Sequence, residues 1–187
     1  MQPYAAMFFV TNFEETEAIA PLDILRRGGV DVLTVSLTGD LCVTSSHGLT
    51  VRTDALFEDF SPENAEMLIL PGGPGTKNYL EHKPFLALLR DFFGGGKKIA
   101  AICAAPTILS ELGFLENKKC VCYPGFKLKG AAMQEAPFVT DGNITTGKGA
   151  GCALEFGFEL LRILRGADIA DDIAEKMVFN GYRRNII

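Results

Sequence analysis

The sequence predicts an α/β fold, a doubly wound, mostly parallel sheet with helices on both faces. Three observations point there. Short apolar runs such as Tyr4 to Val10, Met67 to Leu70 and Ile99 to Ile102 alternate with segments whose apolar residues recur at helical spacing. The runs are continuous, without polar alternation, as expected for strands covered on both faces. Each runs into turn-forming or polar residues before the next helix-like segment, which is the order of a βαβ unit.

Tyr4 to Val10 reads as the first strand, and Thr11 to Glu15 is a polar break. Thr16 to Arg27 then places Ile19, Leu22, Ile24 and Leu25 largely on one side of a helix that Gly28-Gly29 ends. Val30 to Leu37 supplies the next strand through a right-handed crossover. Leu41 to Thr44 and Leu49 to Thr53 flank Ser45-Ser46-His47-Gly48 and read as a small hairpin or a pair of edge strands. Phe57 to Glu66 is a polar connection, with one helical turn expected at Ser61-Pro62-Glu63. Met67 to Leu70 is a strand that runs into Pro71-Gly72-Gly73-Pro74-Gly75, a loop whose backbone is free to approach a ligand. Pro84 to Phe93 is a helix closed by Gly94-Gly95-Gly96. Lys119 to Cys122 reads as a further strand, Phe126 to Thr140 as irregular, and Asn143 to Thr146 as the last strand. A second glycine-rich turn, Gly147 to Gly151, opens a buried helix over Cys152 to Leu164, and Asp168 to Val178 is the final helix.

At 187 residues, with 48% hydrophobic and 22% charged content, the chain fits one globular domain over 1–187. A net charge of −5 gives no electrostatic reason to expect a nucleic acid or an anionic membrane as partner. Lys and Arg are scattered, with one notable pair at Arg183-Arg184. No apolar stretch approaches the roughly 20 residues that span a bilayer. The first ten residues lack a basic leader and read as a strand, so a cytoplasmic location is expected. Five cysteines, an odd number, fit a reducing compartment. Cys120 and Cys122 lack a second ligand pair for zinc, and neither glycine-rich turn has nucleotide-binding spacing, so no metal or cofactor is expected.

The chemistry centres on Cys103. The apolar run Ile99 to Ile102 ends at this residue, and Pro106, three positions on, suits the first position of a helix. A cysteine closing an apolar strand is ordinarily a packing residue. Here it stands at a sharp strand-to-helix junction that resembles a nucleophile elbow, with small Ala104 and Ala105 beside it and the positive end of a helix expected to favour the thiolate. In a parallel sheet ligands bind beyond the carboxyl ends of the strands. That edge carries Glu14, Glu15 and Glu17 after the first strand, Gly72 and Gly73 after Leu70, then Cys103 and Tyr123. A carboxyl close to a thiolate is tolerated when it is protonated and donating. Spacing alone leaves the choice among the three glutamates open.

These residues carry a resemblance. Glu14-Glu15-Thr16-Glu17 with Pro21-Leu22-Asp23, Leu70-Pro71-Gly72-Gly73, Ala101 to Pro106, and Gly147 to Gly151 with Glu155-Phe156 resemble the ThiJ/PfpI superfamily from Tyr4 to about Leu164. The nearest branch is the Parkinson-associated, DJ-1-like deglycases. The resemblance implies a flavodoxin-like, class I glutamine-amidotransferase-like fold. It implies that Cys103 is the reactive, oxidation-prone cysteine, that Glu17 hydrogen-bonds it, and that Gly73 and Ala104 supply oxyanion-hole amides. It also implies a homodimer whose interface lies at or near the first helix and Ser45 to Gly48. Many relatives place a histidine just before the proline corresponding to Pro124, where this chain has Tyr123, a poor base at neutral pH. His47 is then the histidine that would approach the partner subunit's site.

Two functions follow as expectations. One is a cofactor-free glyoxalase-like or deglycase-like enzyme acting on small reactive carbonyls or their adducts. The other is an oxidative-stress sensor whose event is oxidation of Cys103, with peptidase or amidase activity ranked below both.

Overall fold

The computed structural model describes residues 3–180; the Arg183-Arg184 pair lies outside them. In chain order the elements are β1 (Tyr4–Phe9), α1 (Glu15–Arg27), β2 (Val32–Ser36), β3 (Cys42–Thr44), β4 (Thr50–Arg52), β5 (Ala55–Leu56), β6 (Ala65–Leu70), α2 (Asn78–Glu81), α3 (Lys83–Gly94), β7 (Lys98–Ile102), α4 (Pro106–Glu111), β8 (Lys119–Cys120), β9 (Ala132–Met133), β10 (Phe138–Asp141), β11 (Ile144–Gly147), α5 (Ala153–Arg165) and α6 (Ala167–Lys176). The central sheet has the order β10-β11-β7-β6-β1-β2-β5. Its pairings are parallel except for β10 with β11. The mostly parallel sheet with helices on both faces is therefore as expected.

Period-two alternation divides the core into two layers. Ala5, Met7 and Phe9 of β1, with Ala100 and Ile102 of β7, pack toward Phe156, Leu160 and Leu161 of α5 and Ile24 and Leu25 of α1. Ala6 and Phe8, with Ile99 and Ala101, pack toward Phe85, Leu89 and Phe92 of α3 and Ile108 and Leu109 of α4. Winding reverses around β1, which pairs with β2 on one side and β6 on the other. The loops after β1 and β6 therefore open a crevice at the carboxyl edge. Helix α1 is held close to α5 at Gly157, where a Cβ would stand 2.9 Å from Pro21 Cα.

Several elements differ from the expectation. The helical turn in the polar connection is Phe57–Asp59, not Ser61-Pro62-Glu63, and it follows the two-residue edge strand β5. Aromatic packing explains the shift, because the Phe57 ring lies against Phe8, Phe60 and Phe85. The strand expected over Lys119 to Cys122 shortens to β8, which pairs with β9 outside the central sheet. Phe126 to Thr140 is not wholly irregular, since it contains β9 and most of β10. The latter folds back on β11 through the Gly142 turn. The hairpin at Ser45 to Gly48 forms as read, from β3 and β4.

Candidate active site

Cys103 sits immediately after β7 with φ of 65°, a left-handed conformation that is costly for a residue with a Cβ. Such strain persists only where surrounding bonds over-determine it. Here the Cys103 N–H donates to Gly147 O at 2.9 Å, and its carbonyl accepts from the Tyr123 N–H at 2.9 Å. Neighbouring β11 and the segment after β8 thus clamp the turn from both ends. The residue is only 9% exposed, so the elbow holds the thiol inside a crevice.

Three loops converge on that thiol. The N–H groups of Gly73 and Ala104 donate to the Cys103 sulfur, and Glu17 is hydrogen-bonded to it. The Glu17 carboxylate accepts from the Gly72 N–H at 3.0 Å and from the Ala150 N–H of the second glycine-rich turn. Gly73 has φ of 106°, and a Cβ there would stand 2.5 Å from the Glu14 nitrogen, so only glycine fits both the conformation and the space. Behind this loop the fully buried Tyr79 hydroxyl donates to Phe8 O (2.9 Å) and Pro71 O (3.1 Å), tying the loop to β1.

The three glutamates separate by helical phase. Glu14 caps α1, its carboxylate accepting from the Glu17 N–H at 2.8 Å. Glu15 turns to the β3–β4 hairpin, where it accepts from Ser45 Oγ and the His47 N–H and pairs with His47 Nδ1 at 2.8 Å. Glu17 is 1% exposed and lies on the stripe of Pro21, Ile24 and Leu25. It alone of the three reaches the thiol. The i, i+4, i+7 and i+8 spacing of Glu17, Pro21, Ile24 and Leu25 is the signal that would have singled it out, although sequence reading left the choice open.

Burial pushes the Glu17 carboxyl up to about 7, against the hydrogen bonds it accepts. Cys103 is also raised, first by burial and then by the Glu17 charge and the hydrogen bond to Glu17, with the Ala104 and Gly73 amides opposing. This corrects the expectation of a thiol lowered by helix position, because burial and Glu17 outweigh the amides at the turn. Both contributions from Glu17 vanish when its carboxyl carries the proton, which leaves burial raising the thiol and the two amides opposing it. Thiol and carboxyl consequently act as one proton-sharing pair.

The remaining residues stand further out. Tyr123 contributes its backbone to the Cys103 clamp while its ring is 51% exposed, near Gly149 and Phe126, and Pro124 is exposed. His47 is bound by Glu15 within its own chain. Desolvation raises Glu15, and the bonds from Ser45 and His47 outweigh it, drawing the carboxyl down to about 2. Glu14, Glu15 and His47 bring ligand atoms within 4.8 Å of one another, but the Glu15–His47 pair already engages two of them. Sequence reading missed Tyr79 and the Ala150 amide, which declare themselves only through contacts distant in the chain.

Glu17 makes stability pH-dependent. A carboxyl raised from 4.5 to about 7 on folding is favoured protonated, so its contribution is fully present below pH 4.5 and is lost as pH rises through 7. Wild type is expected to lose on the order of 3 kcal/mol between pH 4.5 and 8 through this group. Denaturant unfolding across that range measures it, and the loss is absent from Glu17→Gln.

A model of the DJ-1/PfpI family matches residues 4–163. The chain is 35% identical over 170 residues to Protein DJ-1 homolog B of Arabidopsis thaliana, covering 88% of this chain and 39% of that protein. It is 31% identical over 183 residues to Protein dj-1beta of Drosophila melanogaster, covering 95% of this chain and 98% of that one. The crystal structure of Drosophila DJ-1beta superposes on it with a TM-score of 0.90 over the same shares of the two chains. A deglycase of Pyrococcus abyssi is 31% identical over 158 residues, covering 82% of this chain and 95% of that protein.

Proposed function

The chain belongs to the DJ-1/PfpI family, and on that premise we propose that it is a cysteine-dependent, cofactor-free enzyme acting on small reactive carbonyls or their adducts, as a glyoxalase or deglycase does. The observation that carries this reading is the Cys103–Glu17 pair under the Gly73 and Ala104 amides. The name of the Pyrococcus relative supports the deglycase half of it.

Methylglyoxal illustrates the chemistry. The Cys103 thiolate attacks the aldehyde carbon, the two amides stabilise the oxyanion, and protonated Glu17 delivers its proton to give a hemithioacetal. The Glu17 carboxylate then removes the proton from that carbon and returns it to the neighbouring carbonyl carbon, while the hydroxyl proton passes to the neighbouring oxygen, leaving a lactoyl thioester. Water hydrolyses the thioester, releasing lactate and restoring thiol and carboxyl. A carboxyl near 7 suits a group that both gives and takes a proton at neutral pH.

The exposed Ile19 of α1 and Leu49 beside the β3–β4 turn support a homodimer through that face. Five free cysteines support a cytoplasmic location. Among the described residues no helix is long and apolar enough to cross a membrane.

Tyr123, a half-exposed phenol at the sequence position where many relatives carry a histidine, favours one second reading: peroxide oxidises Cys103 to the sulfenic and then the sulfinic acid, each step releasing water, with Glu17 hydrogen-bonded to the added oxygen. Methylglyoxal consumption with lactate detection tests the first reading, and the purified protein is expected to turn over. No turnover, with oxygen added by peroxide at Cys103 alone in intact and peptide masses, transfers the assignment to the second.

A further inference from the structure

Cys122 has no part in the chemistry described so far, yet it touches the nucleophile's backbone. It is 4% exposed in the apolar layer under α3 and α4. Its Sγ stands 2.9 Å from the carbonyl oxygen of Cys103, the same oxygen that accepts from the Tyr123 N–H. That carbonyl and the Ala104 N–H belong to one peptide unit, which is planar and trans, so the two groups point in opposite directions. Whatever holds the oxygen therefore aims the N–H. The N–H in question is one of the two directed at the Cys103 sulfur.

We propose that Cys122 is a positioning residue, its thiol proton donating to the Cys103 carbonyl and thereby aiming the Ala104 amide at the reacting sulfur. The proposal rests on the reading of Cys103 as the nucleophile. Regular structure cannot do this task, because β7 ends at Ile102 and α4 begins at Pro106. The strained turn between them is fixed by discrete bonds. Burial pushes the Cys122 thiol up to about 11, which keeps it protonated and able to donate. A donor on the carbonyl side of a peptide also polarises the unit, which strengthens its N–H as a donor.

The test is the rate of Cys103 alkylation by iodoacetamide at neutral pH, followed by peptide mass spectrometry, in wild type, Cys122→Ser and Cys122→Ala. Serine keeps a donor at this position and is expected to alkylate within about twofold of wild type, whereas alanine slows Cys103 by about fivefold, the equivalent of one net hydrogen bond. Alanine alkylating at the wild-type rate, or serine slowing as much as alanine, would overturn the proposal. A role confined to packing lowers the melting temperature of both variants without separating their alkylation rates. If the alanine variant does not fold, the near-isosteric pair Cys122→Thr and Cys122→Val is judged by the same criterion. A wild-type Cys103 no faster than exposed Cys42 removes the nucleophile itself, and the proposal with it.

Discussion

Cys103→Ala is expected to abolish methylglyoxal consumption, lowering it by about 10³-fold or more, because it removes the attacking sulfur. Glu17→Gln retains the shape of the side chain and removes its titrating proton. It is expected to lower turnover by about 10² to 10⁴-fold, the usual contribution of a positioned acid–base group. The two losses should not add in the double variant, since each removes one half of a single proton-sharing pair. Lactate formation by the four proteins, with far-ultraviolet circular dichroism as a check on folding, decides the matter. Turnover by Cys103→Ala at even a tenth of the wild-type rate would exclude this site as the origin of the activity.

Gly72→Ala is the second large effect. A Cβ at this position would stand 2.6 Å from Glu17 Oε2, 2.6 Å from Ile102 O and 2.8 Å from Cys103 Cβ. The Ile102 oxygen is backbone, and the other two atoms belong to the hydrogen-bonded Glu17 and Cys103 side chains, so no free side-chain end is available to yield. The loop itself is tethered through Pro71 O to Tyr79 and through Gly72 O to the Glu14 N–H. Displacement of the Gly72 and Gly73 amides by a fraction of an ångström is expected to cost about 10²-fold in turnover. The overpacking is expected to cost about 1–3 kcal/mol of stability. Gly94→Ala, with nothing within 4 Å of its Cβ, is the control and should leave turnover unchanged.

The fold was legible where local chemistry sets the element. Buried runs such as Ile99 to Ile102, the glycines closing α1 and α3, and Pro106 at the head of α4 each have a local cause. What escaped was decided by distant partners. β5 is two residues long and exists through pairing with β2, while β9 and β10 lie in a stretch without apolar periodicity. Even there Asp141-Gly142 was a readable turn signal between two strand-like segments.

The site divides in the same way. Cys103 and the Gly72-Gly73 loop were visible as motifs, whereas spacing left Glu14, Glu15 and Glu17 open and only the family resemblance picked out Glu17. The environment of the thiol was not legible. Its electrostatics depend on burial and on a carboxyl 86 positions earlier in the chain, and these reverse the effect expected from the helix start alone. The clamp on the Cys103 backbone likewise comes from Gly147 and from Cys122-Tyr123, which no local pattern connects to it.

Cys103, though buried, is expected to be the activated thiol of this chain. Competitive alkylation of the native protein by limiting iodoacetamide at neutral pH, with the modified peptides quantified by mass, tests it most directly. The Cys103 peptide is expected to be labelled before those of exposed Cys42 and partly exposed Cys152. Labelling of Cys103 no faster than either of them would contradict the account.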